Sequence, residues 1–168
     1  MSRLAERDPF ACSNREHRHC RDDALSAAED ACARAGARLT STRRRVLELI
    51  WNSHRPLGAY ALLEQLAADG RRPAPPTVYR ALEFLLAQGL IHRIDSLNAF
   101  AGCTHPGESH RSLFLICRQC HCAQELPAGR IEEVIANEAD SHGFTLEKLT
   151  LEAVGLCHSC SRGPAPGS

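Results

Sequence analysis

No run of the sequence is long and apolar enough to cross a bilayer, and its first residues, MSRLAERDPF, lack the apolar core of a secretory signal. These two absences predict a cytoplasmic protein with no membrane partner. Net charge is missing as well: 20 Lys and Arg balance 20 Asp and Glu, a formal +0 over 168 residues. Taken whole, that balance argues against a uniformly basic nucleic-acid binder. Met1 to Asp22 offers no apolar face to pack and reads as a disordered arm. Its Cys12, His17, His19 and Cys20 leave a metal-binding tail as the other reading of that stretch.

The charge absent overall is present in halves. Residues 34 to 80 hold nine arginines, no lysine and three acids (Glu48, Glu64, Asp69), a balance of +6. Residues 117 to 156 set Arg118, Arg130 and Lys148 against seven acids, a balance of −4. A basic half and an acidic half imply different partners. The nine cysteines, an odd number, fit reduced, metal-bound thiols better than a disulfide framework.

Cys117 and Cys120 form one Cys-x-x-Cys knuckle, and Cys157 and Cys160 form a second. Four thiolates from two such knuckles make a closed tetrahedral Zn(II) site of the structural type. A redox dithiol would open a helix, whereas Cys117 follows a strand-like run, Leu113 to Ile116. His92, Cys103, His105, His110 and Glu125 are ligand-type residues that cannot join a filled four-sulfur site. They are either incidental or a second site with mixed nitrogen, oxygen and sulfur donors. As incidental residues, His92 and Glu125 would be solvated strand side chains and Cys103 a small buried one. His121, Cys122 and His158 read as neighbours facing away from the metal.

Alanines predict a helix over Ala24 to Ala35, ending near Gly36, with Cys32 in its core face. Thr40 or Ser41 caps a second helix, with Val46, Leu47, Ile50 and Trp51 as its apolar stripe. A third helix spans Ala59 to Ala68 with Leu62, Leu63 and Leu66 inward. Pro75 and Pro76 fit the opening of a fourth, Thr77 to Gln88. Its apolar face is Val78, Leu82, Leu85 and Leu86, and its other face shows Thr77, Tyr79, Arg80 and Glu83. Strands Leu90 to Asp95 and Ala99 to Cys103, joined by residues 96–98, complete a winged helix-turn-helix. Arg80 can then reach a guanine edge, while Arg38, Arg43 and Arg44 neutralise phosphates.

Beyond the wing, residues 111–116 and 122–126 read as strands, Gly129 to about Ser141 as a helix marked by Ile131, Val134 and Ile135, and residues 149–153 as a half-buried strand. The expected fold is α+β. A disordered arm (1–22) precedes a winged-helix DNA-binding domain (23–98). A hinge with metal ligands (99–110), a small α+β dimerisation domain (111–160) and a disordered tail (161–168) follow. A unit that small needs zinc as a staple.

Arg38-Leu-Thr-x-x-Arg43, Pro76-Thr-Val-Tyr-Arg-Ala-Leu, Gly89-Leu-Ile-His92 and the two Cys-x-x-Cys pairs resemble the ferric uptake regulator family of bacterial metal-sensing repressors. The likeness runs from about Ala28 to Cys160 and is greatest to the zinc uptake regulator branch. It implies a homodimer held by the C-terminal domain, one or two dimers per double-stranded operator, zinc as co-repressor and no organic substrate. It also implies two Zn(II) per chain: a structural ion on Cys117, Cys120, Cys157 and Cys160, and a sensing ion on His92, Cys103, His110 and Glu125. It implies base contacts by Tyr60 and Arg80, with Thr77, Tyr79, Arg38, Thr40 and Arg43 in the DNA-facing set. The interval from Cys103 to His110 is about one residue short for the branch, so His105 stands beside His110 as a candidate ligand.

One thiolate, two imidazoles and one carboxylate suit Zn(II), whereas iron(II) and manganese(II) sites lean toward nitrogen and oxygen at higher coordination. The nearest rival reading is a sensor of iron, manganese or peroxide on the same fold. A zinc-dependent enzyme would need an open metal position, which four protein ligands do not leave. A bare zinc-stapled interaction module would not need the Pro-Pro-Thr-Val-Tyr-Arg helix opening.

Overall fold

A computed structural model of the chain describes residues 14–53, 55–70, 73–106, 112–147 and 149–162. Helix α1, Asn14–Arg34, starts well before the alanine run. Residues 14–22, expected in the disordered arm, are therefore helical. No Gly or Pro interrupts the segment, and Arg21 donates to the Asn52 side chain on the next helix at 3.2 Å, which ties these turns down. The helix ends at Arg34, and Gly36 just beyond it, with a φ of 64°, is the left-handed stop the sequence predicts.

Helix α2 is Ser41–Asn52, and Thr40 is its N-cap, its hydroxyl accepting from the Arg43 amide. Helix α3 is Ala59–Ala68, and α4 is Pro75–Ala87, with proline in its first turn. Their inward faces meet in one core that includes Cys32, Leu47, Ile50, Leu62, Leu66, Val78, Leu82 and Leu85. Strands β1, Ile91–Ile94, and β2, Ala99–Gly102, pair antiparallel with Ile91 opposite Gly102 and Ile94 opposite Ala99. A 3-10 turn over Asp95–Leu97 and Asn98 in the left-handed region join them. Leu57 adds a bridge to Phe100 with 2.9 Å hydrogen bonds both ways, fastening the hairpin to the α2–α3 link. At Gly102 a Cβ would lie 2.4 Å from the Trp51 indole, so the hairpin closes on α2 only with glycine there.

The second unit comprises β3 (Ser112–Cys117), β4 (Ala123–Pro127), α5 (Gly129–Ser141), β5 (Leu151–Gly155) and α6 (His158–Ser161). Its sheet has the order β4-β3-β5, with β4 antiparallel and β5 parallel to the central strand. Strand β5 begins at Leu151, not at Leu149 where the alternation starts, because the ladder opens with Leu113 opposite Leu151. Helix α5 buries none of its residues. Ile131 and Val134 are 43% and 66% exposed, and Phe144, Val154 and Leu156 are exposed too.

The two units meet through the wing. Ile94, Leu97 and Ala101 pack against Phe114, Ile116 and Ala123, so one side of the hairpin lies on the second unit's sheet. No helix among the described residues is long and apolar enough to cross a membrane.

Candidate metal centres

Strand β3 ends in Cys117, and the chain then turns tightly. The His121 amide donates to the Cys117 carbonyl at 2.8 Å, and His121 takes a φ of 59°. The turn brings Cys120 back beside Cys117. Parallel pairing sets Gly155 opposite Cys117, so β5 delivers Cys157 two residues later at the same end of the sheet. Cys157 is the N-cap of α6, which carries Cys160. All four sulfurs lie within 4.8 Å of one another, and Cys120 and Cys157 Sγ are 3.7 Å apart.

Hydrogen bonds from the backbone amides of Cys120 and Cys157 pull the Cys117 thiol down to about 5. Sharing with the Cys157 sulfur, then burial, pushes Cys160 up to about 12. One thiolate forms readily in this cluster and another is resisted. A cation at the centre would remove that resistance. Cys117, Cys120, Cys157 and Cys160 are all free thiols, so no disulfide ties up these sulfurs. The donor set fits a four-coordinate zinc ion.

A second cluster joins the two units. His92 is on β1, Cys103 directly follows β2, and Glu125 is on β4, and one ligand atom from each lies within 4.8 Å of the others. Cys103 is buried, its amide donating to the Leu90 carbonyl at 3.0 Å. His92 Nε2 is 2.9 Å from Glu125 Oε1, and its ring tilts against Phe114 with centroids 5.3 Å apart. Burial pushes the Glu125 carboxyl up, but hydrogen bonds from His92, Ser112 and the Thr104 amide outweigh it. The net shift is well below the usual carboxylate range. The Thr104 amide and hydroxyl both donate to Oε2 at 2.8 Å. Glu125 is therefore an oriented anion, held beside one imidazole and one thiol. These three donors fit zinc and leave a tetrahedral ion one position to fill. His110 lies outside the described residues. His105 is exposed, its Nδ1 3.0 Å from the Thr104 hydroxyl, and it is not in the cluster.

The expected DNA face is only partly open. Tyr60 is 77% and Tyr79 44% exposed, and Thr77, Arg80, Arg38 and Thr40 are exposed as well. Arg43 is half-buried. Its guanidinium lies 3.5 Å from the Phe84 ring centroid and donates to the Arg38 carbonyl at 2.7 Å. Arg44 pairs with Glu29 on α1 and with Glu48, which ties the helices together. The Glu48 pairing is readable as i,i+4 spacing, whereas the Glu29 contact depends on how α1 crosses α2. Sequence reasoning also passed over Thr104, Ser112 and Phe114, the partners that orient Glu125 and His92.

The family model for the ferric uptake regulator family matches residues 34–154. The zinc uptake regulation protein of Escherichia coli (strain K12) is 38% identical over 137 residues, 81% of this chain and 80% of that protein. A solved zinc uptake regulator in complex with zinc and DNA is 37% identical, covering 84% of this chain and 95% of its own, with a TM-score of 0.79. The crystal structure of holo XcZur is 42% identical, covering 83% and 97% of the two chains, with a TM-score of 0.77. Apo XcZur is 41% identical, covering 85% and 99% of the two chains, with a TM-score of 0.51. With a helix-turn-helix and two candidate metal sites in place, the family model over residues 34–154 and the 38% identical relative show that the chain belongs to the ferric uptake regulator family.

Proposed function

We propose that this protein is a zinc-responsive transcriptional repressor. It binds operator DNA as a homodimer when the His92, Cys103 and Glu125 site holds Zn(II), controls zinc uptake genes and acts in the cytoplasm. One observation carries this reading: two donors belong to the DNA-reading unit and one to the other unit, yet all three converge. Bound there, a divalent ion supplies positive charge that an imidazole, a thiolate and a carboxylate share. The chain's own residues do the rest. Glu125 is oriented by hydrogen bonds from Thr104 and Ser112, His92 is set against Phe114, and Cys103 is fixed at the end of β2. In this reading His110 is the fourth donor, and the occupied site locks reader and sheet at one angle. Cys117, Cys120, Cys157 and Cys160 hold a second, structural ion, giving two per chain.

Helix α5 and the exposed Phe144, Val154 and Leu156 support dimerisation through the second unit, since a lone chain would leave these apolar residues wet. Tyr60, Thr77, Tyr79 and Arg80 are assigned to the DNA face, with Arg38, Thr40 and Arg43 beside the backbone. One or two dimers would occupy an operator. The reading is regulatory, not catalytic, since four protein donors leave no open metal position.

The test is a count of zinc per chain before and after mild chelation, with operator binding measured on both samples. One ion lost together with operator binding, and one retained with the fold, is the expected result. Equal activation by Fe(II) or Mn(II) at matched free-metal levels would replace zinc with another metal in the reading. Operator binding that ignores metal altogether would end it.

A further inference from the structure

The register of the second unit's sheet places three residues in one transverse row. Glu125 on β4 and Glu152 on β5 both sit opposite Phe114 on β3. Directly opposed residues in neighbouring strands share a face of the sheet. Here that face meets the wing: Phe114 packs on Ile94 and on the His92 ring, and Glu125 reaches His92. Glu152 reaches the other end of the hairpin. Its Oε1 accepts the Asp95 amide at 2.6 Å, and its Oε2 accepts the Ser96 amide at 3.2 Å. Those are the first two amides of the 3-10 turn at the wing tip, which the turn itself leaves without partners. The like charge of Asp95 is countered by Arg93, whose Nε lies 3.0 Å from Oδ1.

We propose that Glu152 is a positioning residue, a metal-independent latch that holds the wing tip on the sheet and biases the chain toward the docked arrangement in which the sensing donors converge. Non-directional apolar contact and the His92 pair leave the hairpin free to pivot on the sheet, and a directional anchor at Asp95 and Ser96 removes that freedom. The wing is thus a docking element, and the first unit is set against the sheet by the row Glu125, Phe114 and Glu152. This rests on the zinc-dependent repressor reading.

The latch makes a specific thermodynamic statement. If ligand binds only the docked arrangement, its apparent affinity is scaled by the docked fraction. Weakening the latch therefore lowers zinc affinity at the sensing site of the free protein, while operator DNA, which also selects the docked arrangement, restores it. The experiment titrates Glu152→Ala and the unmodified full chain, both with the four-cysteine site filled, with zinc in the absence and presence of operator. The expected result is up to about a tenfold loss of sensing-site affinity without DNA and little change with it, the size set by a lost charge-assisted hydrogen-bond pair. An equal loss in both conditions would mean damage to the site, and no loss in either would mean no latch; both overturn the proposal.

Should Glu152→Ala not fold, Asp95→Pro removes one of the donors from the wing side. Ile94, at φ −96° and ψ 102°, already has the extended backbone that precedes proline, and a turn's first residue accepts it. Asp95→Asn is its control for the lost Arg93 pair, and the same two titrations apply. If operator does not tighten zinc binding even in the unmodified chain, the functional reading fails. Amide exchange at Asp95 and Ser96 then decides the latch: faster exchange in Glu152→Ala sustains it, and unchanged exchange refutes it.

Discussion

His92 Nε2 lies 2.9 Å from Glu125 Oε1, and the two residues come from different units. His92 belongs to the wing and Glu125 to the sheet that the wing rests on, 33 positions later in the numbering. His92→Ala should therefore keep one zinc per chain on the four cysteines and stay folded and dimeric. It should lose zinc-dependent operator binding but keep weak nonspecific binding. By linkage, operator must tighten sensing zinc by the factor that zinc tightens operator. A zinc titration of His92→Ala with and without operator checks this, and undiminished tightening would remove His92 from the site.

Cys103→Ser should weaken zinc at the sensing cluster and leave the structural ion bound. The softest donor is lost, so the preference for zinc over iron(II) should narrow. Competition between the two metals, read as the ratio of their affinities before and after substitution, measures the change.

Cys117→Ser or Cys157→Ser removes a buried donor from the four-sulfur cluster. The second unit buries little apolar surface of its own, so most of its stability should go, and the dimer with it. Zinc content, melting temperature and sedimentation report this together. A dimeric variant with unchanged zinc content and melting temperature would contradict the structural role.

Arg80→Ala should relax sequence choice by about 1–3 kcal/mol at one base position. Arg43→Ala should act differently, because its guanidinium rests on Phe84 and bonds the Arg38 carbonyl. We expect about 1 kcal/mol lost from folding stability, alongside a salt slope reduced by about one. Urea unfolding and salt-dependent binding of each variant separate the two effects.

Gly102→Ala should destabilise the first unit by about 1–3 kcal/mol, since the added methyl meets the Trp51 ring. The urea midpoint gives the loss, and Trp51→Leu in the same background should recover part of it.

Local chemistry carried much of this protein's description. Thr40 as a cap, Gly36 as a stop, prolines opening α4 and the span Ala59–Ala68 are set within a turn or two of chain, so spacing alone reveals them. The paired knuckles were legible for the same reason: each Cys-x-x-Cys is one local turn, and two of them leave few chemistries open. The start of α1 was not legible, because residues 14–22 have weak local preference and are fastened by Arg21 reaching Asn52. Nor was the division of labour among the arginines, since which guanidinium meets Glu29 or Phe84 depends on how helices cross. The sequence by itself determined the donors: an imidazole at 92, a thiol at 103 and a carboxylate at 125. Only the tertiary structure decided that these three meet and that Glu152 grips the wing tip. Both follow from strand register, a non-local property in which a one-residue slip would turn Glu125, Phe114 and Glu152 to the other face.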